Sequence, residues 1–504
     1  MAPARRPSIK SVSTTEAGRR SVRFDEFRQV VRRHRPSELL PALATLACSI
    51  EGPPYDYEYV RYMQPWAIAL MARESVLWGN EHREKGLTPE DLRVLINTHN
   101  NIYEEPRRPE DMSAHSILTR IAYEQFPYQE SMFEELTRTH ALLIDGLPHI
   151  DGEVLDEAAW GKILGAPLPQ VVGATFFLHA AAERNQGWFD PAWLDRDDIQ
   201  QIFDVWPRQV ILERARRLSS SFEEFRAAYD AVQKPARGYE RYAFNPLTSR
   251  PFLRWADGRL LAPQPRLILR TVSPGNLYYE GIQTLGERFT RDLGRLTERY
   301  VGEQLRTING ARIHGEVIYG KPERRSTDWF LVLPSVVVMF EVKSARFGLL
   351  DRAADPGFED RIKALLEKAV GQLRRSSAAI EDRVPEFSHI PGDRPRIGVV
   401  VTSEPYYLAN TPMVRSLLPE GDLPLLTASL RELEHLVGLP TAAIEEQLLE
   451  IVQDPERSTW SLGTALKDVE GSGRSPLLQH AWDAYPWPLP DEDSTIDHDS
   501  GGAR

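Results

Sequence analysis

The sequence predicts an α+β multidomain protein: an N-terminal all-α domain, then an α/β domain whose central mixed β-sheet is flanked by helices. Three observations predict it. From Phe24 to about Val232 apolar residues recur at helical spacing, and few segments alternate with period two. Between Tyr239 and Ser273 this pattern breaks into prolines, an Asp257-Gly258 turn pair and two short extended runs. Beyond that, long helical stripes enclose apolar runs rich in Val, Leu and Phe, which read as strands.

The totals agree with that class. The chain has 504 residues and a formal net charge of −12, enough length for several cores and too acidic overall for a nonspecific coat on nucleic acid. Its one cysteine, Cys48, excludes a disulfide framework and fits a reducing, cytoplasmic setting. No apolar run approaches the roughly 18–20 residues that span a bilayer, so no membrane partner is expected. Charge is uneven: from Leu285 to Arg346 there are eleven Lys/Arg against eight Asp/Glu. The expected divisions are a disordered basic tail at 1–20, an all-α domain at 21–238, a β-rich connector at 239–275, an α/β domain at 276–455 and a mostly disordered tail at 456–504.

Taken in order, Phe27, Val30, Val31 and His34 form the first stripe. Residues 63–80 predict an amphipathic helix with Trp66, Leu70, Val76 and Leu77 inward. Thr88 followed by Pro-Glu-Asp is a helix start, with a capping hydroxyl, proline in the first turn and acids after it. Further helices are expected at 114–125, 129–140, 171–184, 197–203, 207–218 and 221–232. His179 and Glu183 share a helix face without a third ligand nearby, and Arg214, Arg216 and Arg217 read as a solvated helix end. Trp188, Phe189 and Trp193 read as core. A long helix is expected at 282–308, a strand at 313–319, a helix at 359–380 after a Gly/Asp-rich loop at 348–357, a doubly buried strand at 396–403, a short strand at 423–427 and a helix at 429–437.

Residues 327–333 and 336–343 predict a hairpin turning at Pro334-Ser335. In that register Leu333 faces Val336, Phe330 faces Met339, and Asp328 faces Glu341. Two carboxylates then stand with Cβ atoms about 5 Å apart, a destabilising arrangement that a divalent cation relieves. Lys343, two residues beyond Glu341, leaves the strand on the same face. Asp328, Glu341 and Lys343 are therefore a candidate metal-and-water site. The structural alternative is a strand-end ion pair of Glu341 with Lys343, beside a turn-edge Asp328. Against it, residues 336–340 are apolar on both faces, as in a central strand, where charge is costly unless paired or metal-bound.

The α-β-β-β-α-β order, with Asp328 and then Glu341-Val342-Lys343, resembles the PD-(D/E)xK nuclease superfamily, the restriction-endonuclease-like fold. The resemblance covers about residues 281–437, a third of the chain. Glu298 in LTERYVGEQL matches the glutamate such enzymes often carry on the preceding helix, with Glu303 a competing position. Gln372 in KAVGQLRRS matches the glutamine of the following helix. Thr327 stands where the family name has proline. The resemblance implies Mg²⁺, with Mn²⁺ as substitute, held by Asp328, Glu341 and the Val342 carbonyl. It implies Lys343, Glu298 and Gln372 as further catalytic residues, and Arg324, Arg325 and Arg346 as phosphate contacts. It also implies nucleic acid, DNA ahead of RNA, as partner, a homodimer for double-strand cleavage, and a helical half that selects substrate or protein partner, in defence or DNA repair. The second function reading keeps the fold and drops the chemistry: a catalytically inactive binding or scaffold protein.

Overall fold

The computed structural model describes residues 21–50, 63–103, 114–125, 128–235, 239–344, 346, 358–406, 408–471 and 473–487. The molecule is mixed α/β, mostly helical, with an open mixed sheet at its centre. Among the described residues no single helix is long and apolar enough to cross a membrane. The tail at 1–20 and the loop at 348–357 lie outside the described residues.

In the helical half Thr88 caps its helix as expected. Thr88 and Asp91 form a reciprocal capping box on Pro89–Asn100, as Ser131 and Glu134 do on Met132–His140. Pro65–Trp78 departs from expectation: it is buried all round from Pro65 to Val76 rather than amphipathic. Arg73 and Glu74 pair with each other at 2.9 Å inside it. Arg73 also donates to the carbonyls of Glu240 and Ala243. Arg214 is likewise no solvated helix end, because its guanidinium is buried on the hydroxyls of Thr175 and Thr271. His179 bonds the Pro265 carbonyl at 3.1 Å, a structural role.

This half is not purely helical. Trp188–Phe189 and Ser219–Ser220 pair with Leu260–Leu261 and Phe252–Arg254 in a small four-stranded sheet, so the connector is woven into the helices. Its hairpin turns where expected, with Gly258 at φ 88°. Nor do the cores divide at residue 238. Phe27, Leu43, Ile68 and Leu95 pack with Phe225, Leu247 and Leu253, whereas Leu136, Trp160 and Leu218 share one core with the central sheet and with Leu478 and Tyr485. The expectation of a mostly disordered tail is corrected there: Pro476–Ala484 is a helix, capped by Ser475 and fastened by Leu478 and Tyr485. A buried polar chain also joins the halves: Arg138 forks onto Glu434 at 2.6 and 2.7 Å, and Tyr300 donates to the same carboxylate at 2.7 Å.

The central sheet has five strands: β1 (Arg312–Gly315), β2 (Trp329–Val332), β3 (Val337–Lys343), β4 (Arg396–Thr402) and β5 (Leu425–Ser429). Their order is β5-β4-β3-β2-β1; β3, β4 and β5 run parallel, and β2 is antiparallel to both neighbours. Helices α1 (Glu287–Arg306) and α3 (Leu430–Val437) cover one face, over Leu331, Val338, Phe340 and Val399. Helix α2 (Phe358–Glu381) covers the other, over Phe330, Val337, Met339 and Val400. The long helix expected at 282–308 is two helices: Gly286, at φ 71°, ψ −160°, separates Pro274–Leu285 from α1. The strand expected at 313–319 is also two pieces, β1 and the Ile318–Tyr319 strand, the latter pairing with Arg324–Arg325.

Candidate metal centre

The β2–β3 ladder has the register the sequence predicts. Phe330 opposes Met339, Val332 opposes Val337, and the Leu333 amide donates to the Val336 carbonyl at 3.0 Å. One step beyond the last pair, Trp329 with Phe340, the same register sets Asp328 against Glu341. Alternation puts Asp328, Glu341 and Lys343 on the face of Phe330 and Met339, beneath α2.

Asp328 sits where the sheet breaks. Between the pairs Gly315–Trp329 and Ile318–Arg325, residues 316 and 317 stand against residues 326, 327 and 328. One extra residue on the Asp328 side bends that strand and re-aims its side chains. The irregularity is braced by hydrogen bonds. Ser326 exchanges bonds with Val317, the Thr327 amide donates to Ser376 Oγ, and Thr327 Oγ1 donates to the Phe340 carbonyl. Thr327 thus pins the kink through its hydroxyl. Gln372, from α2, donates to the Ser326 carbonyl at 2.6 Å, so its amide braces the kink. Asp328 Oδ2 accepts the Val342 amide at 2.6 Å, replacing the strand acceptor that the kink removed.

Glu341 is 1% exposed. Its Oε1 accepts from Lys343 Nζ at 2.5 Å, while Oε2 is buried without a hydrogen-bond partner. Burial, and then the charge of Asp328, push the Glu341 carboxyl up to about 7. Asp328 is raised too, by burial first, with the Val342 amide and Lys343 opposing. A carboxylate pair that resists ionisation together, with one oxygen unserved, suits a divalent cation. Val342, whose amide reaches Asp328, is half-buried. Among the described residues, no three His, Cys, Asp or Glu side chains converge closely enough to form a ready cage.

Helix α1 brings Glu298 to the rim. Gly294 and Gly302, one turn to either side of it, allow close approach. A Cβ at Gly302 would fall 2.3 Å from Trp329 Cζ2, and one at Gly294 would lie 3.3 Å from Ser344 Oγ. Trp329 Nε1 donates to the Glu298 carbonyl at 2.8 Å. The Glu298 side chain is exposed on its outer side, yet its carboxyl is raised, by desolvation first and then by Asp328 and Glu316. Glu303, the competing position, is taken by Arg299 and Arg306.

The predicted phosphate contacts divide. Arg324 and Arg325 are exposed on the short strand beside the site, and Arg325 bonds Glu316 at 2.9 Å. Arg346 departs from expectation: its side chain is 4% exposed, pairs with Glu404 at 3.1 Å and lies over the Tyr278 ring, so it is not presented to a phosphate. Sequence reasoning missed Glu316, which stands opposite the Thr327–Asp328 kink and raises both Asp328 and Glu298. The available signal was the predicted strand at 313–319, carried in register across the hairpin.

No protein-family model matches the chain, and no curated protein matches it.

Proposed function

We propose that the protein is a divalent-metal-dependent nuclease of restriction-endonuclease-like fold, its helical half followed by the nuclease domain, hydrolysing phosphodiester bonds of nucleic acid, DNA ahead of RNA. One observation carries the reading: the buried, unpartnered Oε2 of Glu341, beside Asp328 and Lys343 at a sheet end. Asp328, Glu341 and the Val342 carbonyl would hold Mg²⁺ or Mn²⁺. When bound, the ion neutralises a phosphate oxygen and acidifies a water. Lys343 offsets the charge that builds on the phosphate oxygens as the bond breaks. Thr327 and Gln372 fix the kink that aims Asp328. Arg324 and Arg325 hold the backbone in place without reading sequence. A cytoplasmic protein, a homodimer that pairs two such sites, and a partner or substrate selected by the helical half complete the proposal.

A second reading, a non-catalytic binding protein of the same fold, is favoured by one observation. Lys343 is already the partner of Glu341, and Asp328 of the Val342 amide, so each group has a structural task. Plasmid, linear DNA and RNA incubated with the protein in Mg²⁺ or Mn²⁺ separate the two. The nuclease reading predicts cleavage that disappears in Asp328→Ala and in Lys343→Ala. Cleavage surviving both substitutions sinks it at this site, and intact substrate under every condition selects the second reading.

A further inference from the structure

At the free edge of the central sheet, two histidines from distant parts of the chain meet. His314 lies on β1 and His389 follows the turn Pro385–Phe387 after α2; their ring centres are 4.8 Å apart and the planes are inclined by 59°. That inclination is not a parallel stack. Two imidazoles bound edge-on to one tetrahedral cation, at ~2.0–2.1 Å per nitrogen, place their ring centres about 5 Å apart. The pair has that spacing already.

The surroundings hold it there. Phe330 is the cross-strand partner of His314, and Phe387, two residues before His389, packs on Phe330 with ring centres 6.0 Å apart. Tyr319 closes on Phe387 at 5.0 Å. This aromatic floor fixes both histidine backbones. His314 Nε2 is buried without a hydrogen-bond partner, whereas His389 is exposed. One ring therefore offers an unserved nitrogen from inside, and the other stands open to solvent. Burial first, and then His389 and Arg312, hold His314 below the usual imidazole range, in the neutral form that ligates metals.

We propose that His314 and His389 form a second cation site, distinct from the carboxylate pair, which takes a borderline transition ion such as Zn²⁺ with water in the remaining positions. Imidazole nitrogens suit Zn²⁺, Ni²⁺ and Cu²⁺, and a hard ion such as Mg²⁺ does not compete for them. The bound ion ties the exposed edge strand β1 to the segment after α2.

The test is a calorimetric titration of the full chain with Zn²⁺ in excess Mg²⁺, in an Asp328→Ala background so that the carboxylate pair is already broken. The proposal expects Zn²⁺ to bind and to raise the thermal midpoint. It expects His389→Ala, a change at an exposed residue, to weaken binding at least tenfold and abolish the midpoint shift, with His314→Gln doing the same. Zn²⁺ affinity unchanged in His389→Ala, or no Zn²⁺ binding at micromolar concentration, overturns it. Neither readout depends on cleavage, so the nuclease proposal stands or falls separately.

Discussion

Replacing Glu341 by glutamine should make the metal-free protein more stable while removing its proposed activity. Glu341 is 1% exposed, and its carboxyl is pushed up to about 7 from an ordinary 4.5 by burial and by Asp328. That displacement corresponds to about 3 kcal/mol of disfavoured ionisation, net of the help from Lys343. The sign follows from proton binding. Between the two pKa values the folded chain keeps a proton that the unfolded chain has released, so stability falls as pH rises through the window and stays low above it. Glu341→Gln has no such titration. Urea unfolding in chelator, from about pH 5 to about pH 8, should show the two proteins diverging with pH. The variant should be the more stable above pH 7 by an amount on the order of 1–3 kcal/mol. Parallel pH profiles, or a variant less stable at the alkaline end, would refute the claim that Glu341 is held ionised at a cost.

Two further outcomes follow from the site's construction. Gly302→Ala puts a methyl group 2.3 Å from Trp329 Cζ2, and the displaced indole drags the Glu298 carbonyl it bonds. Unfolding should show a loss of roughly 1–3 kcal/mol, with lower cleavage; an unchanged midpoint would contradict the packing argument. Arg324→Ala with Arg325→Ala should weaken nucleic-acid binding about equally on all sequences, and lower the slope of log affinity against log salt by about two. An unchanged slope removes these residues from the interface.

The hairpin was legible because two strong local signals agree: apolar runs of strand length mark the two strands, and Pro334-Ser335 fixes the turn, so the register of Asp328 against Glu341 follows by counting. The cap at Thr88 was legible for the same reason, being short-range chemistry. What escaped depends on distant partners. The helix at 63–80 looks amphipathic until Arg73 and Glu74 pair inside it and the carbonyls near residue 240 take up Arg73. Arg346 looks like a free cation until Glu404, from the end of β4, reaches it. The kink at Thr327–Asp328 is one extra residue in a ladder, invisible to periodicity, and with it went the place of Glu316. The ordered helix Pro476–Ala484 follows a Gly/Ser-rich stretch, and only its burial against the helical half reveals it.

The central claim is that Asp328 and Glu341 share one divalent cation. Titration with Mn²⁺, read by the loss of the free-ion electron paramagnetic resonance signal, tests it without reference to any substrate. One tight Mn²⁺ per chain that is lost in both Asp328→Ala and Glu341→Gln, and displaced by Mg²⁺, is the result predicted. Equal Mn²⁺ uptake by the wild-type chain and both variants would contradict it.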